Sequence, residues 1–385
     1  MAAGSALPLD GILVVELGHS VAAPYAALVL AELGADVVKV EKPGHGDDAR
    51  RWGPPFHEGT STVFKALNRN KRSIVADLRD AEDIAKLKAL IGRADVVIQN
   101  LRPGQVDELG LGPAAMCAAN PRLVYATIGA FGAAGPLKDE PGYDPLMQAF
   151  GGMMSVTGEQ GRPPVRVGTS PIDMGAGMWV VTGVLSALLK RATTGRGGEV
   201  TTSLYETALG WMLYHVASEA VTGEEPGRHG SGTAMIAPYQ AFPTADGDLV
   251  VAAGNDSLFR RVCEAIGLSE LATDPRYASN ADRVRNRGVL IETLSERLRT
   301  KTRAEWAAAL GAVGVPTAPV QGMGELAAHP QTQALGILRG EGVPGGVRTI
   351  GLPLSFDGVR PGRDAPAPAL GEGNPDYLGK PAKAG

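Results

Sequence analysis

At 385 residues the chain is long enough for two or three domains and a sizeable core. Apolar residues make up 44% and charged residues 20%, the balance of a soluble globular protein, which excludes a disordered or fibrous chain. The mild net charge of −4 argues against nucleic acid or a membrane surface as partner, so any phosphate contact must come from local basic residues.

The many Gly and Pro residues fall between apolar segments and imply tight loops. Cys117 and Cys263 form neither a CxxC motif nor a metal spacing, which fits a reduced interior and a cytoplasmic location. The first eleven residues have no basic or long apolar stretch, so no secretory signal is expected.

Residues 11–17 are apolar with a β-branched bias and predict a strand. Residues 24–33, rich in Ala and Leu, predict a helix with Pro24 in its first turn and Gly34 at its end. Strands follow at 36–41, 73–78, 94–100 and 123–128, with helices at 80–93 and 105–119. This alternation gives βαβ units and a parallel sheet, whose ligands bind at the carboxyl ends of the strands. From Asp144 the pattern turns helical, over 144–154, 173–193 and 204–221, with a short strand at 198–203. Residues 223–232 are polar and Gly-rich and mark a linker and a domain boundary. Beyond them, a hairpin of 239–243 with 248–252 and helices at 257–266, 282–301 and 303–313 make a small α+β domain. From about residue 325 the patterning weakens, and the Pro/Gly-rich end reads as an extended strap.

The run from Met174 to Leu189 carries no charge. It is shorter than the roughly 20 residues a membrane span needs and contains Gly and Thr, so it predicts a buried core helix. Asp173 stands directly before it. Two readings stay open: a helix cap, which Asp favours, or a nucleophilic carboxylate in a water-poor pocket.

The loop Gly18-His19-Ser20-Val21-Ala22 follows the first strand, and Glu41 ends the second, which invites a dinucleotide reading. The second and third glycines of GxGxxG are missing, and Cβ atoms would block a pyrophosphate. Lys42, Arg79 and Arg102 each follow a predicted strand. They line one phosphate-holding patch or else belong to a solvated rim. There is no GxSxG, HExxH or Walker A motif, which leaves carboxylates as the reactive groups of any enzyme.

Several stretches together resemble the class III (CaiB/BaiF) CoA-transferases, which include formyl-CoA, carnitine-CoA and dicarboxylate-CoA transferases and, as relatives, α-methylacyl-CoA racemases. They are LDGILVVELGHSVAAPYAALVLAELGADVVKVEKPGHGD, NxNKRSIxxDL at 68–78, ADVVIQNLRPG, PGYDPLMQAFGGMMSVTG, SPIDMGAGM, LLKRATTGRGGEV and APYQAFPTADGDLVVAAGND, in that order over essentially the whole chain. The resemblance implies an α/β fold with a large Rossmann-like domain over 1–222, completed by 326–385, and a small α+β domain with linkers over 223–325. It also implies an interlocked homodimer whose active site lies between the large domain of one subunit and the small domain of the other. Asp173, in SPIDMGAGM, matches the nucleophile. CoA contacts carry over to His19, Val21, Ala22, Lys42, Ala76, Leu78, Arg79, Asn100, Arg102, Tyr143 and Asp144. Acyl-CoA and a carboxylic acid are the substrates, with no permanently bound cofactor and no metal.

Three departures bear on specificity. Glu108 stands where many members have Arg. Val21 stands where oxalate-using members have Gln. Tyr143-Asp144 replaces the His-Asp of the racemases. A 1,1-proton transfer needs two positioned bases, and a Tyr with a pKa of about 10 is a poor one. The resemblance therefore implies transfer of CoA between an acyl-CoA and a carboxylic acid, with a dicarboxylate such as succinate as one partner. The alternatives are an acyl-CoA racemase or epimerase and a non-catalytic CoA-binding subunit. Residues 227–232 are read as either a lid or a plain linker.

Overall fold

The computed structural model describes residues 7–378, which divide into two compact units. The first takes the described residues up to 151, 168–212 and those from 330 on; the second takes 152–167 and 213–329. The division therefore falls after Met212 rather than at 222, and 152–167 go with the second unit. The helix expected over 204–221 breaks at Met212 into Leu204–Trp211 and Leu213–Thr222, and packing changes there. The Gly-rich stretch at 223–232 is a loop inside the second unit.

Six strands form the sheet of the first unit: β1 (Leu13–Leu17), β2 (Asp36–Glu41), β3 (Arg72–Val75), β4 (Val96–Gln99), β5 (Val124–Gly129) and β6 (Gly198–Ser203). All pairings are parallel, in the order β3-β2-β1-β4-β5-β6. Val14, Val15, Val37, Val38, Val96, Val97 and Ile98 are buried, as strands covered on both faces require. The order reverses at β1, so the crevice between the loops after β1 and β4 is a topological switch point, where such sheets bind ligands.

Helices α1 (Ala22–Glu32), α2 (Ala81–Gly92), α3 (Asp144–Phe150), α4 (Pro171–Thr194) and α5 (Leu204–Trp211) belong to this unit. Asp80 caps α2 by accepting the amides of Glu82 and Asp83. Leu87, Leu90 and Ile91 of α2 join the core of Val15, Val38, Val97 and Tyr125. The helix expected over 105–119 splits into Gln105–Glu108 and Pro113–Ala119, because Gly110 is left-handed (φ +64°) and Pro113 starts a new turn.

The apolar run after Asp173 lies in α4, a helix of 24 residues, long and apolar enough to cross a membrane by length and composition. It packs on α1, β5, β6 and α5. Its burial is one-sided: Ile172, Ala176, Val180 and Val184 are buried, while Met174, Met178, Trp179, Leu185 and Leu189 are exposed. The expectation of a buried core helix is corrected accordingly: one face is buried and the other exposed. The glycines of the run are contact points. A Cβ on Gly177 would lie 2.8 Å from the Ala22 carbonyl oxygen, and one on Gly175 would lie 2.8 Å from the Trp211 ring.

The chain after Pro330 follows the open edge of β3. Ser73 O accepts the Gly373 amide, Asn374 Oδ1 accepts the Val75 amide, and Asn70 exchanges hydrogen bonds with Ala365. Covering an edge strand removes unpaired backbone groups.

The second unit contains β7 (Tyr239–Pro243), β8 (Asp248–Ala252) and β9 (Thr317–Pro319), antiparallel in the order β9-β8-β7. Phe242, Leu249, Val251, Phe259, Leu294, Trp306 and Leu310 form its core. The third strand, too short and exposed to show a pattern, was not expected. The loop around 227–232 is fastened within this unit. Gly230 N donates to Gly158 O, Arg228 donates to Arg162 O, and Arg287 donates to His229 Nδ1 and to the carbonyls of Thr233, Ala234 and Ile236.

Candidate active site

Two cavities of about 340 and 470 Å³ open at the carboxyl ends of the first unit's strands. His19, Val21, Ala22, Asn100, Arg102, Tyr143, Asp144 and Asp173 line the first. His19, Lys42, Ala76, Leu78 and Arg79 line the second. His19 and Leu101 border both, so every candidate residue from the sequence falls on one of two adjoining walls.

Asp173 sits in the first turn of α4 but is not its cap. Ser170 precedes the helix without a side-chain capping bond. The carboxylate that satisfies the helix start comes from elsewhere in the chain: Asp144 Oδ2 accepts the amides of Ile172 at 2.9 Å and Asp173 at 3.2 Å. Asp144 is only 2% exposed, and its Oδ1 accepts Gln148 Nε2 at 2.5 Å. Asp173 is thereby left with its carboxyl group on the cavity wall. Burial, with the Asp144 charge adding to it, pushes its pKa up to about 7.

The loop after β1 is held from below. Asn100 uses both ends of its amide on the His19 backbone, accepting from His19 N and donating to His19 O, each at 2.9 Å. Its side chain thus clamps the loop that borders the cavity. Ser20 is left-handed (φ +68°), and its amide donates to Asp47 Oδ1. Asp47 in turn pairs with Lys39 at 2.9 Å, and Lys39 Nζ also binds Glu16 and the Gly18 carbonyl. Lys71 completes the group through Glu16, Asn68 Oδ1 and Pro24 O, all at 2.8 Å. Glu16, Lys39 and Lys71 are buried. Burial alone would depress the Lys39 pKa, but Glu16, Asp47 and Glu41 outweigh it and raise it. Burial pulls the Lys71 pKa down to about 8. His19 is also pushed down by burial, which keeps its ring neutral near pH 7.

Sequence reasoning missed this network. Its signal was present: Glu16, Lys39 and Glu41 interrupt runs of a sheet that is otherwise apolar, and a charge in such a strand must be paired. Trp52 and Glu140 also line the first cavity without having been singled out. Nothing in their spacing marks them.

The three basic residues expected on one patch are divided. Lys42 and Arg79 line the second cavity and Arg102 the first. Lys42 is paired with Asp48 and Arg79 with Asp77, each at 2.8 Å and near the surface. Exposed pairs of this kind contribute little to stability.

A model of the family described as CoA-transferase family III matches residues 9–374. The chain belongs to CoA-transferase family III. It is 38% identical to an acetyl-CoA:oxalate CoA-transferase of Acetobacter aceti, over 95% of this chain and 93% of the relative. It is 36% identical to a succinate–glutarate CoA-transferase of Agrobacterium fabrum, over 95% of this chain and 93% of the relative. The crystal structure of a CAIB/BAIF family protein from Brucella suis superposes with a TM-score of 0.88 at 38% identity, covering 97% of this chain and 99% of that one. The chain is thus a CoA-transferase, an enzyme that uses CoA thioesters as substrates. In this family III member the carboxylate of Asp173 and the clamped His19 loop face one cavity across the sheet's switch point.

Proposed function

We propose that this transferase moves CoA from an acyl-CoA thioester to a carboxylic acid, with a dicarboxylate such as succinate as one partner, and that Asp173 carries the acyl group and then CoA. The supporting observation is a carboxyl group with a pKa of about 7 on the wall of a cavity that adjoins a second, cation-bearing one.

The CoA phosphates bind near Lys42 and Arg79, and the pantetheine arm passes His19 and Leu101 into the first cavity. Asp173 attacks the thioester carbonyl, an O–C bond forms, the C–S bond breaks, and CoA leaves as thiolate. The thiolate attacks the aspartyl carbonyl of the mixed anhydride and releases the first acid, which leaves an aspartyl-CoA thioester. The second acid attacks that thioester and the steps reverse. Dividing one exchange into several is the gain from covalent catalysis, and the phosphates and arm supply positioning energy. The relatives' names, with succinate, glutarate and oxalate, support a small dicarboxylate.

Epimerisation is the weaker reading. Asp144 is buried and engaged by three N–H donors, which holds it as a helix cap rather than as a free base. A homodimer fits the apolar side of α4, where Met174, Met178, Trp179, Leu185 and Leu189 stay exposed among the described residues.

The test is Asp173→Ala. CoA exchange between succinyl-CoA and glutarate or oxalate should vanish while CoA binding stays within a few-fold. Hydroxylamine added during turnover should modify Asp173. Turnover at the wild-type rate in the Ala variant overturns the reading.

A further inference from the structure

Resting on Asp173 as nucleophile, the geometry points to Asp144 as a positioning residue with two tasks: it caps the helix that carries Asp173, and it sets a second negative charge against that carboxylate, a repulsion absent from both covalent intermediates. Asp144 does not reach the reacting carbon. It acts on Asp173 through the helix start and through charge.

The capping task follows from contacts. The first amides of α4 have no partner within the helix, and Pro171 at its first position has no N–H to give. Asp144 Oδ2 takes the next two amides, of Ile172 and Asp173. One of these belongs to the nucleophile itself, so the cap fixes the backbone from which the Asp173 side chain springs. Asp144 is held in turn at the start of α3, with Gln148 one turn on donating to its other oxygen.

The charge task follows from what happens to Asp173 in the reaction. Free, it is a carboxylate beside a carboxylate in a partly dry cavity. When its oxygen bonds the acyl carbon, the electron pair of the broken C–S bond leaves on sulfur, and Asp173 becomes neutral. It stays neutral as the CoA thioester, when the negative charge leaves on the first acid. The repulsion across the pair is therefore present in the free enzyme and absent in both intermediates. Asp144 destabilises the uncombined nucleophile and so favours the loaded enzyme. His19, Arg102, Glu140 and Tyr143 line the same cavity, from the loops after β1 and β4 and before α3. Burial lowers the His19 pKa, and of the charged groups around this cavity Asp144 is the one whose charge acts on Asp173.

The experiment compares Asp144→Asn, which keeps an acceptor oxygen for the two amides without the charge, with Asp144→Ala, which keeps neither. The Asp173 titration is read without substrate by carbon NMR of protein labelled at Asp carboxyls, assigned with Asp173→Asn. In Asp144→Asn the Asp173 midpoint should fall by about one pH unit or more, and the acid limb of kcat/KM should move with it. At pH 6, activity relative to its own plateau should then exceed wild type by up to about tenfold. The fraction of enzyme trapped as CoA thioester should fall. Asp144→Ala should also lose thermal stability, while Asp144→Asn stays close to wild type. An unmoved Asp173 midpoint and acid limb in Asp144→Asn overturn the proposal, even if activity drops. The titration does not need turnover, so it stands apart from the Asp173→Ala test: that variant's full activity would sink the nucleophile and leave the measured pairing intact.

Discussion

Replacing Gly177 by Ala sets two effects of opposite sign against each other. Gly177 lies one turn after Asp173 on the same face of α4 and is buried against α1. In an open helix interior, Gly→Ala stabilises by about 1 kcal/mol. Here the new methyl carbon would stand 2.8 Å from Ala22 O, 3.2 Å from Ala26 N and 3.0 Å from Tyr25 Cδ1. Ordinary contacts are about 3.5 Å or longer, so the gap must open by roughly 0.5 Å. Two of the three atoms are backbone, so a rotamer change cannot open it and the helices must part. Overpacking of this sort costs about 1–3 kcal/mol, which exceeds the propensity gain or cancels it. The expected result is a net loss of up to about 2 kcal/mol in urea unfolding. Gly210 in α5 is the control: a Cβ there meets nothing within 4 Å, so Gly210→Ala should stabilise or be neutral. Because the shift separates Asp173 from the loop at Val21 and Ala22, Gly177→Ala should also lower kcat about tenfold or more at temperatures where it is folded; a misplacement near 1 Å costs about a hundredfold. If Gly177→Ala matches Gly210→Ala in stability and keeps wild-type kcat, the account of how α4 is seated is wrong.

Four further outcomes follow from the site. The Asp173 pKa of about 7 means that kcat/KM should fall about tenfold per unit below pH 7, with a single ionisation on that limb, read with succinyl-CoA as donor. The same group sets a stability slope. Its folded pKa lies above the unfolded value, so ionisation costs the folded state progressively from about pH 4 to 7 and by a constant amount above 7; Asp173→Asn should therefore gain stability over wild type across that window and hold the gain at pH 8. Lys39→Met leaves Glu16 and Asp47 buried without their common cation and should cost about 3–5 kcal/mol in urea unfolding; an unchanged midpoint would mean that the network carries no stability. Asn100→Ala removes both bonds to the His19 backbone and should weaken CoA binding several-fold by isothermal calorimetry while leaving Asp173 modifiable by hydroxylamine.

The parallel sheet was legible because its cause is local. Valine-rich runs such as 36–41 and 96–99, each followed by a loop and a helix of suitable length, have few other ways to bury themselves. Helix ends were less so. The helix expected over 282–301 breaks at Asn286, and the one over 144–154 ends at Phe150 before left-handed Gly152, because caps and glycine turns override periodicity. Asp173 was marked by position, as a carboxylate before an uncharged run. The sequence motifs that resemble the family then singled it out from capping.

What the chain's order of residues determined alone was the element types, the ligand edge of the sheet and the names of the residues that gather there. It did not determine their partners. That Asp144 caps α4 in place of Asp173, that Asn100 clamps the His19 loop, and that Lys39 and Lys71 share Glu16 beneath it depend on residues 23 to 81 positions apart. Such pairings exist only once the sheet has closed its register and the helices have settled on it. The same holds for the one-sided burial of α4: its composition is apolar all round, and only the packing of α1, α5 and the sheet decides which face is covered.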